Sequence, residues 1–169
     1  HGVLTLVDGA HAPGMIPLNL ETLGAAYYTG NCHKWLCAPK GAGFLWVRQD
    51  LQPRLRPLAI SHGAGVAGPG PERFRLEMDW TGTHDPTPYL AVPRAIQFME
   101  ELLPGGWPAL MMRNRTLALE ARAVLAAALG IPAPCPDAMV GSMATLPLPP
   151  STGPRHAWPR DRGALQETL

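Results

Sequence analysis

The sequence predicts an α/β fold in which short buried strands alternate with helices, and three observations carry that prediction. The run Val3-Leu4-Thr5-Leu6-Val7 is apolar, rich in β-branching and closed by Asp8-Gly9, the pattern of a parallel strand buried on both faces. Ala25 to Thr29 and Gly43 to Val47 repeat it at short intervals. Two later stretches, 89–103 and 107–129, instead space their apolar residues three and four apart, as helices do.

Taken in order, the turn around His11-Ala12-Pro13-Gly14 leads to a short helix over Leu18 to Leu23 and then to the second strand. Together they form a compact βαβ unit with Asp8 and Thr29 at corresponding strand ends. The third strand follows a Gly/Pro-punctuated loop. Residues 49–88 carry many Pro and Gly and little periodicity, so they read as loop with a short strand near Arg56 to Ile60. Tyr89 to Leu103 is helical and stops at Pro104-Gly105-Gly106. In Trp107 to Leu129 the residues Leu110, Leu117, Ala121, Val124, Leu125 and Ala128 share a face, with Gly130 as cap. Gly141 to Leu148 returns to a strand, and residues 162–169 read as the start of a further helix. The expected division is 1–104 and 105–169. Both ends are abrupt, which suggests a piece of a longer chain.

Composition narrows the function. Among 169 residues, 46% are hydrophobic and 16% charged, with a net charge of +1, so neither nucleic acid nor an anionic membrane is the expected partner. There is no apolar run of membrane-spanning length and no charged-then-apolar leader pattern. Three cysteines, Cys32, Cys37 and Cys135, are too few and oddly numbered for a disulfide framework. The expectation is a soluble cytoplasmic protein. Lys34 and Lys40 are the only lysines, so amine chemistry has two candidates.

In open α/β sheets, ligands lie beyond the carboxyl ends of the strands. Asp8 ends one strand, and the next delivers Asn31, His33 and Lys34 to the same edge. A carboxylate and an amine in one crevice suit Schiff-base chemistry on a pyridine ring, whose nitrogen an Asp keeps protonated. The same residues have plainer readings. Asp8 fits a turn or helix cap, Lys34 a solvated surface lysine, and His11 and His33 ordinary loop residues. Cys32, His33 and Cys37 lack a recognised zinc spacing.

Three motifs in order, Val7-Asp8-Gly9-Ala10-His11-Ala12-Pro13-Gly14, Tyr28-Thr29-Gly30-Asn31-Cys32-His33-Lys34-Trp35 and Gly41-Ala42-Gly43-Phe44-Leu45-Trp46-Val47, resemble the class V aminotransferases. The branch they resemble is the isopenicillin N epimerase-like one, which also carries an element like Trp80-Thr81-Gly82-Thr83. The resemblance implies a fold-type I scaffold dependent on pyridoxal 5'-phosphate (PLP). It implies an incomplete large domain with a mostly parallel sheet over 1–104, and the beginning of a small α+β domain over 105–169. It makes Lys34 the residue that bonds the cofactor, Asp8 the partner of its ring nitrogen and His11 the contact to its phenolic oxygen. Asn31 and His33 would hold the phosphate, and Thr83 would reach the phosphate of a neighbouring subunit, implying a homodimer. The implied activity acts on an amino acid, through an external aldimine and removal of the Cα proton, in epimerase or aminotransferase fashion. His84 departs from the arginine expected before Asp85-Pro86. The alternatives are a non-catalytic remnant of such an enzyme and a cysteine desulfurase or lyase-type relative.

Overall fold

A computed structural model describes residues 2–66, 68 and 71–148. Its centre is a three-stranded sheet in the order β1-β2-β3, with β1 at Leu6–Asp8, β2 at Tyr27–Asn31 and β3 at Gly43–Val47. β1 and β2 run parallel, with Leu6 opposite Tyr27, Val7 opposite Tyr28 and Asp8 opposite Thr29. The crossover between them contains one helical turn, α1, at Leu20–Leu23. Asn19 starts it by accepting the Glu21 and Thr22 amides at 3.1 Å each, and Gly24, at φ 72°, stops it.

The α/β class holds, while the sheet is mixed rather than mostly parallel. β3 is antiparallel to β2, from Tyr27 opposite Val47 to Asn31 opposite Gly43. The reason is the connection: residues 32–42 hold no helix, and so short a link reverses the chain instead of carrying it back for a parallel pairing. The loop is tied to itself, because the Ala38 amide donates to the Cys32 carbonyl at 3.0 Å and the Cys32 amide to the Ala42 carbonyl at 3.0 Å.

β1 also differs from the expected strand buried on both faces. Leu6 is 64% exposed and Val3 78%, and among the described residues β2 is the strand that pairs with β1. The packed part lies around β2. Tyr28 is 2% exposed and stacks on Phe44 with ring centroids 6.2 Å apart. One apolar cluster joins Ala26, Val47 and Leu51 to Tyr27, Leu55 and Phe74. Another joins Cys32, Ala38 and Ala42 to Leu36, Phe44, Val92 and Ala95. The small residues let the loop after β2 lie close under the helix that carries Val92 and Ala95.

The described residues of 49–88 hold more helix than their composition suggests. A 3-10 segment at Gln49–Arg54 is followed by α2 at Gly63–Val66 and α3 at Pro71–Met78, whereas no strand forms near Arg56 to Ile60. Helix-compatible Glu72, Arg73, Arg75, Leu76 and Glu77 outweigh the flanking glycines in α3. The helix expected at 89–103 appears as α4 at Thr87–Leu90 and α5 at Val92–Glu101, and the next as α6 at Gly106–Leu129.

The chain divides into two compact units, His1–Arg113 and Asn114–Leu169, the change falling within α6. In the second unit the expected apolar face of α6 is not the covered one: Leu117, Val124 and Leu125 are 64%, 69% and 52% exposed. The covered side carries Arg115, Ala118, Leu119 and Arg122. There Arg122, 5% exposed, donates to the Cys135 carbonyl at 3.0 Å and pairs with Asp137, while Arg115 donates to the Val140 carbonyl at 3.0 Å. Among the described residues, the carbonyls of the 135–140 segment are what holds this side of α6. No strand forms over 141–148; Pro147 lacks a ladder donor and no partner strand lies among the described residues. The helix expected at 162–169 lies outside the described residues.

One packing constraint is directly testable. A Cβ on Gly9 would come within 1.9 Å of the Tyr28 ring, which is itself buried. Gly9→Ala should therefore destabilise the sheet by about 1–3 kcal/mol through overpacking, read as a lowered denaturation midpoint. An unchanged midpoint would show that Tyr28 can leave its place freely.

Candidate active site

The site is built at the carboxyl ends of two adjacent parallel strands. Asp8 is the last residue of β1, and its Oδ1 accepts the Ala10 amide at 3.0 Å. That bond satisfies the turn reading of Asp8, and it leaves Oδ2 without a hydrogen-bond partner among the described residues. The chain then turns through His11, with the Ala12 amide donating to the Gly9 carbonyl at 2.9 Å. Gly14 completes the turn at φ 82°, and a Cβ there would stand 2.6 Å from the Trp35 backbone. A glycine is needed on both counts. It lets the turn after β1 press against the loop after β2, on the residue next to Lys34.

That approach brings His11 and Lys34 together across 23 residues of sequence. Lys34 Nζ lies 3.0 Å from His11 Nε2. With lysine as the ammonium, Lys34 donates and His11 accepts through Nε2, its proton on Nδ1. Lys34 is half-buried, and Asp8 and His11 are exposed. His33 sits one residue before the lysine, its Nδ1 2.7 Å from the Ala42 carbonyl. Since a carbonyl can only accept, Nδ1 carries the hydrogen and Nε2 is left to other partners. Asn31 closes β2 opposite Gly43.

Asp8, His11, Asn31, His33 and Lys34 thus fall on two neighbouring strand ends and the turns that follow them. Thr83 does not join them; it is exposed in the bend at 81–83 and shares no hydrogen bond with them. Cys32 is buried among Ala38 and Ala42, and that burial pushes its thiol above the ordinary range. Cys37 is exposed, with Sγ 3.7 Å from the Trp35 carbonyl. No three His, Cys, Asp or Glu side chains gather as a metal-ligand set among the described residues.

A second feature surrounds the departure at His84. Its ring lies 5.5 Å from that of Trp80 and 5.8 Å from that of Tyr89, and its Nδ1 is 2.9 Å from the Gly82 carbonyl. The three rings border a cavity of about 500 Å3 that also meets Phe44 and Phe74. Beside it, Asp85 accepts from the Thr87 hydroxyl and amide, and these bonds, with His84 nearby, hold its carboxyl below the usual carboxylate range.

The sequence profile of the family described as Aminotransferase class-V matches residues 1–102. The chain belongs to the class V aminotransferase family. Its relatives include isopenicillin N epimerase of Amycolatopsis lactamdurans, 40% identical over 95% of this chain and 44% of the relative. The Streptomyces clavuligerus isopenicillin N epimerase is 39% identical over 89% of this chain and 40% of its own length. Putative L-cysteine desulfhydrase 1 of Oryza sativa subsp. japonica is 33% identical over 87% and 30%. The apo structure of the cysteine desulfurase of Thermococcus onnurineus NA1 superposes with a TM-score of 0.56 at 22% identity, over 78% of this chain and 32% of that one. This class V chain thus spans less than half the length of the curated relatives it matches, and its fold is a part of the fold-type I scaffold. Class V aminotransferases depend on PLP.

Sequence reasoning located the strand-end residues because each is written into a local motif. It missed Glu77, buried at 7% exposure between Arg56 and Arg73, and Arg122. A charged residue in a helix carries no local mark of burial, and only the chain packed against it reveals one.

Two outcomes follow from this geometry. Burial first, and then the negative charge of Asp8, raise the Tyr28 hydroxyl above its ordinary value of 10.0. A raised folded value means the native state holds this proton when the unfolded chain has lost it, so stability falls as pH climbs above about 10. An absorbance titration should show one of the three tyrosines ionising late, and Tyr28→Phe should flatten the alkaline loss. The His33 side chain, in turn, closes the loop bearing Lys34. His33→Ala should speed amide exchange of Cys37 and Ala38 several-fold, by releasing a hydrogen bond of about 1 kcal/mol; unchanged exchange would make that bond dispensable.

Proposed function

We propose that this chain carries the lysine and ring-nitrogen carboxylate of a PLP-dependent enzyme that acts on an amino acid by removing its Cα proton. The observation that supports it most is the 3.0 Å contact of Lys34 Nζ with His11 Nε2, one strand away from Asp8 at a parallel strand end. The donor set fits the cofactor: an amine, a carboxylate with one oxygen unengaged and an imidazole stand along one edge. Lys34 would hold PLP through Nζ, Asp8 at the ring nitrogen and His11 at the phenolic oxygen. Asn31 and His33 would lie on the phosphate side, and Thr83 would serve a second subunit of a homodimer. When bound, PLP supplies an electron sink for the charge left on Cα.

The residues of the chain do the proton work. Lys34, as the neutral amine, would hold the cofactor through Nζ, with His11 Nε2 3.0 Å away as its hydrogen-bond partner. Once the substrate's own amine has displaced it, the freed Lys34 amine would take a proton from the substrate Cα and return it. Asp8 keeps a proton on the ring nitrogen by its charge. Residues 105–169 would begin the small domain. The relatives favour an epimerase-like outcome, and the desulfhydrase-like ones support a second reading, β-elimination. Release of sulfide from L-cysteine by the full-length enzyme would select the second.

Borohydride reduction of the chain in the presence of PLP should place a pyridoxyl group on Lys34 and leave Lys40 unlabelled. Equal or absent labelling would remove Lys34 from its role. In the full-length enzyme, Lys34→Ala should abolish turnover, whereas Asp8→Asn should leave PLP bound and slow Cα deprotonation by roughly two orders of magnitude or more, on the scale of a lost electrostatic stabiliser. A normal rate in the second variant would reduce Asp8 to a turn residue.

A further inference from the structure

Tyr28 is buried against the turn that carries Asp8. Its ring stacks on Phe44 with an interplanar angle of 15°, and a phenylalanine would fill the same space. A hydroxyl taken out of water is costly unless it is bonded. This one donates to the Gly9 carbonyl at 3.4 Å, which also accepts the Ala12 amide at 2.9 Å. The Gly9 carbonyl and the Ala10 amide are the two ends of one peptide unit, and that unit is planar. Its amide end donates to Asp8 Oδ1 at 3.0 Å. Whatever fixes the carbonyl therefore also fixes the direction of the N–H that grips the carboxylate.

We propose that Tyr28 is a positioning residue for Asp8: through the Gly9–Ala10 peptide, its hydroxyl sets the orientation of the Asp8 carboxylate. The relay runs from the phenol O–H to the Gly9 carbonyl and from the Ala10 N–H to Oδ1, so each bond polarises the next. It engages Oδ1 and leaves Oδ2 for a further partner. The two ends of the relay are close enough to act on one another, since the Asp8 charge adds to burial in holding the proton on the Tyr28 hydroxyl. That this further partner is a pyridine nitrogen rests on the PLP reading of the site; the relay itself does not.

PLP and its analogue with CH in place of the ring nitrogen test this role, because they differ only in the group that Asp8 would hold. In an absorbance titration the full-length enzyme should bind PLP about tenfold or more tightly than the analogue, the scale of a hydrogen bond to a charged group. Tyr28→Phe, which keeps the ring, should narrow that preference by roughly two- to tenfold, the scale of one neutral hydrogen bond, and leave the affinity for the analogue unchanged. In an Asp8→Asn background the same substitution should change neither affinity, because groups acting through one relay are not additive. No preference in the unaltered enzyme would overturn the role of Asp8 at the ring nitrogen, and this proposal with it. A preference that survives Tyr28→Phe in full would overturn the proposal alone. So would an equal loss of both affinities or a loss of the circular dichroism of the fold, either of which would make the hydroxyl a structural group only.

Discussion

The parallel register of β1 against β2 is the constraint from which the rest of the site follows. It sets Asp8 opposite Thr29, so the turns that leave the two strands emerge side by side. The Gly9 amide extends the pairing by donating to the Thr29 carbonyl at 2.9 Å. From there, His11 needs only the close approach at Gly14 to meet Lys34. Shifting the register by one residue would invert the alternation of side chains along β1 and carry Asp8 away from the edge where the lysine lies.

Close packing of small groups turns that register into a fixed geometry. Gly9 admits the Tyr28 ring, Gly14 admits the Trp35 backbone, and Ala38 and Ala42 let the lysine loop lie flat beneath Val92 and Ala95. Full burial of Tyr28 contributes roughly 1.5–3 kcal/mol, a large share for so small a sheet, and the same burial raises the cost of ionising its hydroxyl. Stability and electrostatics near Asp8 therefore meet in one side chain. The loop after β2 is restrained at both ends by backbone hydrogen bonds and by His33, and the Lys34 side chain is held by its contact with His11.

Class V membership adds a division of labour to this geometry. The strand ends carry an amine, an imidazole and a carboxylate, and the chain spans 30–44% of the length of the relatives it matches. His84, exposed and flanked by Trp80 and Tyr89, belongs to a different neighbourhood from Lys34. Its imidazole lies against both rings, 5.5 Å and 5.8 Å from them.

Much of the site was legible in the sequence because its parts are local: an Asp at the end of an apolar run, a lysine three residues beyond the next one, and glycines where turns must be tight. Strand existence was legible for the same reason, and β3 formed over the expected residues. The direction of β3 and the face that α6 covers among the described residues were not. Periodicity marks which residues can share a face, but only partners decide whether that face is covered. Among the described residues, the carbonyls of 135–140 hold Arg115 and Arg122 on the covered side of α6, and Leu117, Val124 and Leu125 lie outside. Likewise, the sequence by itself determined that Asp8, His11 and Lys34 would lie near strand ends. Only the tertiary structure decided that His11 and Lys34 share a hydrogen bond, because that contact depends on two backbones meeting at Gly14 and Trp35.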